Sequence, residues 1–371
     1  MSDLTDELTA AVRSMLDRIE IDTETPAHGV SDELWAALVR AGFTTIDVPA
    51  EADGHGGTTT DAIAVLSAVI ARSALVPFIE HAMLAAWLSG TTGQGLDEES
   101  IATIGVADAG YVADDSGDVL RVSATIGDVV HGSAASWLVV LLPEFRGTGS
   151  VVATFALDDD GMSISAGSDL LGASHGTVTL DSVPARTWAA CTVTPAELRQ
   201  RGALLYSAAM SAAAGAVLDR TVQHASDRRQ FGRPLTGFQA IQQRLAAMAA
   251  STTMMQIASS RAAAATTGDP RIARSATAAA KVVTSLHSHA VAAAGHQIHG
   301  AIGFTSEHPL GRSTTALWAW RDRYGTEREW ADEIAAQIID ADLDPWDLIT
   351  GDLPPEPQTS TETPPAERTS Q

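Results

Sequence analysis

Cysteine is almost missing from this chain: Cys191 is the single one in 371 residues. One thiol excludes an internal disulfide framework and any zinc site built on cysteine pairs. Basic charge is also scarce, with 23 Lys and Arg against 46 Asp and Glu and a formal net charge of -23. A chain that binds nucleic acid on its own needs a basic face to displace counterions, so that class is set aside. The opening MSDLTDELTA has neither a basic nor an apolar segment, so no secretory signal is expected. Apolar runs such as Trp137 to Pro143 fall short of the roughly 20 residues that span a membrane. No GxxxxGK[ST] loop occurs, and the glycines at Gly147 and Gly149 precede no helix. These absences lead us to expect a cytoplasmic protein with no nucleic-acid or membrane partner.

What is present is an ordinary folded composition, 45% hydrophobic and 19% charged. Residues 1–104 read as a helical domain. Leu34, Trp35, Leu38 and Val39 make one apolar stripe, and Thr58, Thr59 and Thr60 offer caps for a helix from Asp61 to Ile70. Residues 105–194 switch to period two, with strands expected at Val119–Ala124, Ser136–Leu142, Val151–Leu157 and Gly176–Val183. Residues 195–350 return to long Ala-rich helices, Leu204 to Ala225, Gly237 to Ala265 and Asp269 to Ala294, as in a helical bundle. Residues 351–371 hold five prolines and almost no large apolar side chain, which predicts a disordered tail. The order of segregated helical and sheet zones is an α+β multidomain pattern, not a doubly wound nucleotide fold.

Two segments stand out. Asp227-Arg228-Arg229-Gln230-Phe231-Gly232-Arg233-Pro234, followed by Phe238-Gln239, reads as a helix end, a tight turn and a new helix start. The arginines offset a helix dipole there, or Arg228 and free backbone amides bind an anion such as a phosphate ester. His296 to Thr305 (HQIHGAIGFT) ends another helix, with Gly300 and Gly303 either capping it or admitting a ligand close to the backbone. Of His287, His289, His296 and His299, the first two are spaced i, i+2 and point to different helix faces, and no clear carboxylate partner lies nearby, so a metal site is not expected.

These segments carry a resemblance. RRQFGRPLTGFQAIQQRLAAM (Arg228–Met248) resembles the FAD-binding signature of the acyl-CoA dehydrogenase family. QIHGAIGFTSEHPL (Gln297–Leu310) is similar to that family's second flavin-contact motif, and Glu33–Gly57 and Leu180–Ala185 resemble its N-terminal and β-domain segments. The resemblance spans roughly residues 30 to 340. It implies an N-terminal α-domain, a middle antiparallel β-barrel and a C-terminal four-helix bundle. It also implies an oxidoreductase that desaturates an acyl-CoA thioester with FAD. Arg228 would then pair with the cofactor pyrophosphate, Gln230 and Phe231 would flank the adenosine or pyrophosphate, and Gln239 would face the adenine. Gln297 and Gly300 would add contacts across a subunit interface.

The chain departs from the family where the proton is abstracted. The usual glutamate precedes a Gly-Thr pair; here the pair is Gly325-Thr326 and the residue before it is Tyr324. The alternative position, on the first bundle helix, is Gly202. Tyrosine, with an ordinary pKa of about 10, is a poor base for an α-proton. The family's Gly/Ser-rich loop and Trp-x-Thr strand are also missing from Gly105–Asp115 and Asp128–Trp137. This split resembles the base-lacking subunit of actinobacterial α2β2 acyl-CoA dehydrogenases, some acting on steroid side chains. No catalytic residue is therefore expected in this chain, and a homologous subunit is the expected partner. The alternatives are a self-sufficient homotetramer with a displaced base, Glu327 or Glu329 being nearest, and a non-catalytic scaffold. Trp318, Trp320 and Trp330 are expected to fill the vacated site.

Overall fold

The computed structural model describes residues 3–19, 32–73, 76–97, 100–117, 119–147, 149–305, 308–340, 343–351 and 353. The predicted tail lies almost wholly outside them.

Helices open the chain: α1 (Asp3–Leu16), α2 (Asp32–Arg40) and α3 (Thr59–Ala71). Thr58 caps α3 in a reciprocal capping box with Asp61, so the cap expected from the threonine run falls on the first of the three. A π-helical stretch, Ile79–Ala86, then runs into the short α4 (Trp87–Gly90), and both are buried.

Among the described residues eight strands follow: β1 (Ala102–Val106), β2 (Val112–Asp114), β3 (Arg121–Val130), β4 (Trp137–Leu142), β5 (Ser150–Ala156), β6 (Met162–Ser168), β7 (Ser174–Pro184) and β8 (Thr187–Cys191). They form two four-stranded sheets, ordered β1-β4-β5-β8 and β2-β3-β7-β6. The middle region is thus all-β as expected, but no closed barrel is found among the described residues. It is not wholly antiparallel either, because β1 pairs with β4 in parallel. The excursion through β2 and β3 carries the chain to the other sheet before β4 returns beside β1.

Strand β4 explains its own composition. Leu138, Val140 and Leu142 enter the core between the two sheets, whereas Val139 and Leu141 join the core shared with the helices. A strand covered on both faces reads as an unbroken apolar run instead of an alternating one.

The C-terminal helices are α5 (Pro195–Asp227), α6 (Gln239–Ala265), α7 (Pro270–His299), α8 (Leu310–Ala319), α9 (Glu327–Ile339) and α10 (Pro345–Thr350). A two-strand hairpin, β9 (Arg229–Gln230) and β10 (Arg233–Pro234), joins α5 to α6. α5 starts at a Thr194–Glu197 capping box with Pro195 in its first turn. The long α5, α6 and α7 pack on one another, with α9 against α7 and α8 against α5. An apolar stretch of α5 is long enough to cross a membrane, but 78% of it is buried inside the molecule. That is the signature of a core helix in a bundle.

Candidate functional site

The first candidate cluster lies at one end of the bundle. Arg228 caps α5, donating its backbone N–H to the His224 carbonyl and accepting from Leu235 N–H at 2.9 Å. Gln230 faces Arg233 across the β9–β10 hairpin. The two residues between them, Phe231 and Gly232, take φ +50° and +80°, as a tight hairpin turn with right-handed strand twist requires. Phe231 is left 92% exposed, its ring edge-on to Phe238 with centroids 6.2 Å apart. Gln239, the first residue of α6, is exposed.

Gln297 is exposed in the last turn of α7, and Gly300 ends that helix at φ +65° with nothing within 4 Å of where a Cβ would stand. The ends of α5 and α7 that lead into the two motifs meet within one chain: the His224 ring of α5 stacks on His299 of α7 at 4.4 Å. An open cleft at this end is lined by Arg220, His224, Arg228 and His308. Arg228, Arg229 and Arg233 make no ion pair among the described residues. Burial lowers the His224, His299 and His308 pKa values, His299 to about 4, and Arg228 lowers His224 further. The charge here is therefore carried by the guanidinium groups. His299 donates its Nδ1–H to the Gly295 carbonyl, and His296 pairs with Thr314 Oγ1; both histidines have a local structural partner.

The second cluster is where the family glutamate is missing. Tyr324 takes φ +55° and lays its ring on α5 at Gly202: a Cβ on Gly202 would stand 2.3 Å from that ring. The two positions that lack a carboxylate are thus one contact, the absent side chain of one admitting the ring of the other. Burial, with the Glu80 charge adding to it, drives the Tyr324 hydroxyl pKa well above its ordinary value. Tyr206 on α5 packs against Tyr324 at 5.8 Å and against Trp320 at 6.1 Å. Trp330 donates its indole N–H to the Tyr324 carbonyl at 2.9 Å. Of the three tryptophans expected to fill the site, Trp330 contacts Tyr324 directly and Trp320 packs on Tyr206. Trp318 lines the cleft beside Tyr324 and stacks on His296, with centroids 6.2 Å apart.

The two carboxylates weighed as a displaced base are otherwise engaged. Glu329 accepts from the Thr326 N–H and hydroxyl as the third residue of the α9 capping box, and those bonds hold its pKa down. Glu327 accepts from Arg321 at 3.1 Å.

Sequence reasoning passed over Glu80. It lies on the π-helical stretch, 3% exposed, and accepts a hydrogen bond from the Tyr206 hydroxyl. With His131 it lines a cavity of about 400 Å³ between the N-terminal helices, the β region and α5. The available signal was a carboxylate inside the apolar run Val76 to Leu88. A second, larger cleft of about 900 Å³ is lined by Tyr324, Arg199, Arg323 and Asp169 among others. Asp169 borders both spaces and pairs with Arg323 at 3.0 Å, tying the β region to the bundle.

Residues 199–337 match the family model described as the acyl-CoA dehydrogenase C-terminal domain. The chain is 27% identical over 305 residues to acyl-CoA dehydrogenase FadE27 of Mycobacterium tuberculosis, covering 76% of this chain and 81% of that one. It is 29% identical over 288 residues to acyl-CoA dehydrogenase IpdE2 of Mycolicibacterium smegmatis, covering 76% and 80%. Its fold matches a chain of the ChsE4-ChsE5 complex from Mycobacterium tuberculosis with TM-score 0.78 and 23% identity, over 91% of this chain and 98% of that one.

Proposed function

Because the chain belongs to the acyl-CoA dehydrogenase family, we propose that it is the base-lacking subunit of an FAD-dependent enzyme that desaturates an acyl-CoA thioester. Its partner is a homologous subunit, in an α2β2 assembly that supplies the carboxylate. The carrying observation is the Tyr324–Gly202 contact, which fills with an aromatic ring the space where a base would work.

FAD, when bound, accepts the hydride that leaves the β-carbon. The residues at the bundle end suit its ADP half. Arg228, without an ion-pair partner, offers a guanidinium to the pyrophosphate; Phe231 offers an exposed ring, and Gln230 and Gln239 offer amides. Gln297 and Gly300 complete the contacts, Gly300 by leaving its backbone open to close approach. In this chain the Tyr324 ring occupies the vacated position, and the neutral phenol neither takes nor gives the α-proton at neutral pH. The capping and ion-pair roles of Glu329 and Glu327 speak against these two as a displaced base. A steroid or other bulky acyl group is the substrate class we favour, on the strength of the family association.

The test is the visible spectrum and native mass of this chain alone and co-expressed with an adjacent dehydrogenase-like subunit. The reading requires a complex with one FAD per pair, and Arg228→Ala should strip at least tenfold of its flavin affinity. A lone yellow homotetramer with one FAD per chain would overturn it.

A further inference from the structure

We propose that the cavity beside Tyr206 is a binding site for an apolar molecule bearing a hydroxyl group, held between Glu80 and His131. This goes beyond the flavin reading and does not depend on it.

The cavity has the size of small-molecule sites, which run from roughly 300 to 1,000 Å³, at about 400 Å³. Leu66, Ile70, Val76 and Ile79 form an apolar wall, and Glu80 and His131 stand among its polar residues. The buried Glu80 carboxyl group needs hydrogen-bond partners, since burying a polar group without them is unfavourable. It has one donor, the Tyr206 hydroxyl, on Oε1. Its Oε2 lies 3.8 Å from His131 Nε2, beyond hydrogen-bond reach. Half of the carboxylate's accepting capacity is therefore open. The chain sets it there with a π-helical turn, a geometry that recurs at functional sites.

The spacing selects the ligand atom. An oxygen about 2.8 Å from both groups would see a 3.8 Å pair at an angle of roughly 85°. A hydroxyl meets that geometry by donating to Glu80 while accepting from the His131 N–H. An ether or ketone cannot donate, and an ammonium cannot accept. A carboxylate or phosphate would face Glu80, and Arg323 is already paired with Asp169 of the cavity wall. A free alcohol and the hydroxyl of a longer acyl chain share this chemistry.

The experiment is calorimetric titration of the full chain, in its native complex, with 1-adamantanol and with 1-methoxyadamantane. We expect the alcohol to bind and the ether to bind at least tenfold more weakly. Glu80→Gln, which still offers Tyr206 an acceptor, should weaken the alcohol tenfold or more. Should that variant fail to fold, His131→Asn serves at the more accessible partner and should weaken it likewise. The CoA thioester of 3-hydroxyadamantane-1-carboxylic acid, which has no α-hydrogen, separates the sources. Binding tighter than the free alcohol assigns the hydroxyl to an acyl chain, and equal binding assigns it to a free alcohol. No binding of the alcohol, or equal binding of the ether and no effect of either variant, would overturn the site.

Discussion

Tyr324 and Gly202 behave as one unit although 122 positions separate them in the chain (324 − 202). Gly202→Ala drives a methyl group into the Tyr324 ring, and overpacking of this kind costs about 1–3 kcal/mol. Tyr324→Ala empties the space of an aromatic ring, at about 3–5 kcal/mol by analogy with other aromatic truncations. The double variant should be less destabilised than the sum of the two, because the methyl group added on α5 then occupies part of the vacated volume. Chemical denaturation of the four proteins measures this coupling; strict additivity would mean that the ring does not depend on the glycine. The identity of both residues was legible in the sequence as a missing base. Their contact was not, because only the packing of the α8–α9 connection onto α5 brings them together.

At the scale of elements, α5 is the spine to which the N-terminal helices attach. Arg201, on its buried face, pairs with Asp47, donates to the Met83 carbonyl at 2.8 Å and to Thr59 Oγ1 at 3.2 Å, and lies 4.1 Å over the Trp87 ring. Asp47→Ala leaves that guanidinium buried without its counter-charge, a loss of about 3–5 kcal/mol for pairs of this kind. Melting temperature should fall by several degrees, and Arg201→Met with Asp47→Leu should recover part of it. The long helices were readable from their Ala-rich composition and breakers, and the four central strands from β-branched runs. β1, β2, β6 and β8 escaped notice: β2 and β8 are short, and β6 is largely solvent-facing polar sequence, so period-two apolar patterning had little to mark. The parallel pairing of β1 with β4 escaped for a different reason, since pairing direction is a property of the path between strands.

For the whole molecule, buried neutral bases shape the response to pH. Burial lowers the His81 pKa from 6.5 to about 4, and its Nδ1 accepts from the Ala102 N–H. The unfolded chain therefore binds a proton that the native one refuses, and stability is lost as pH falls from 6.5 towards 4. A shift of that size corresponds to roughly 3 kcal/mol at full burial. His299, also brought to about 4, acts in the same direction. Lys281 works in another window. Its ammonium, buried with the Trp320 carbonyl as acceptor, is lowered to about 7, so its contribution rises as pH climbs from 7 towards 10.5. Denaturation free energy measured from pH 7 to 4 should decline, and His81→Gln should flatten that decline; an unchanged slope would assign the loss to carboxylates.

Composition and local pattern alone determined the scarcity of basic charge, the zones of helix and strand, the helix caps and the two arginine- and histidine-bearing motifs, because each depends on neighbours within a few residues. The sequence also determined that neither expected position carries a base. Tertiary structure decided the rest. It set the two sheets in place of a closed barrel, stacked His224 on His299 so that both motifs share one end of the bundle, and sealed the vacated position with Tyr324. It also turned Glu80 inward against Tyr206 and opposite His131. Those outcomes depend on contacts between segments 50 to more than 100 residues apart, and a linear pattern carries no record of the distances that packing imposes.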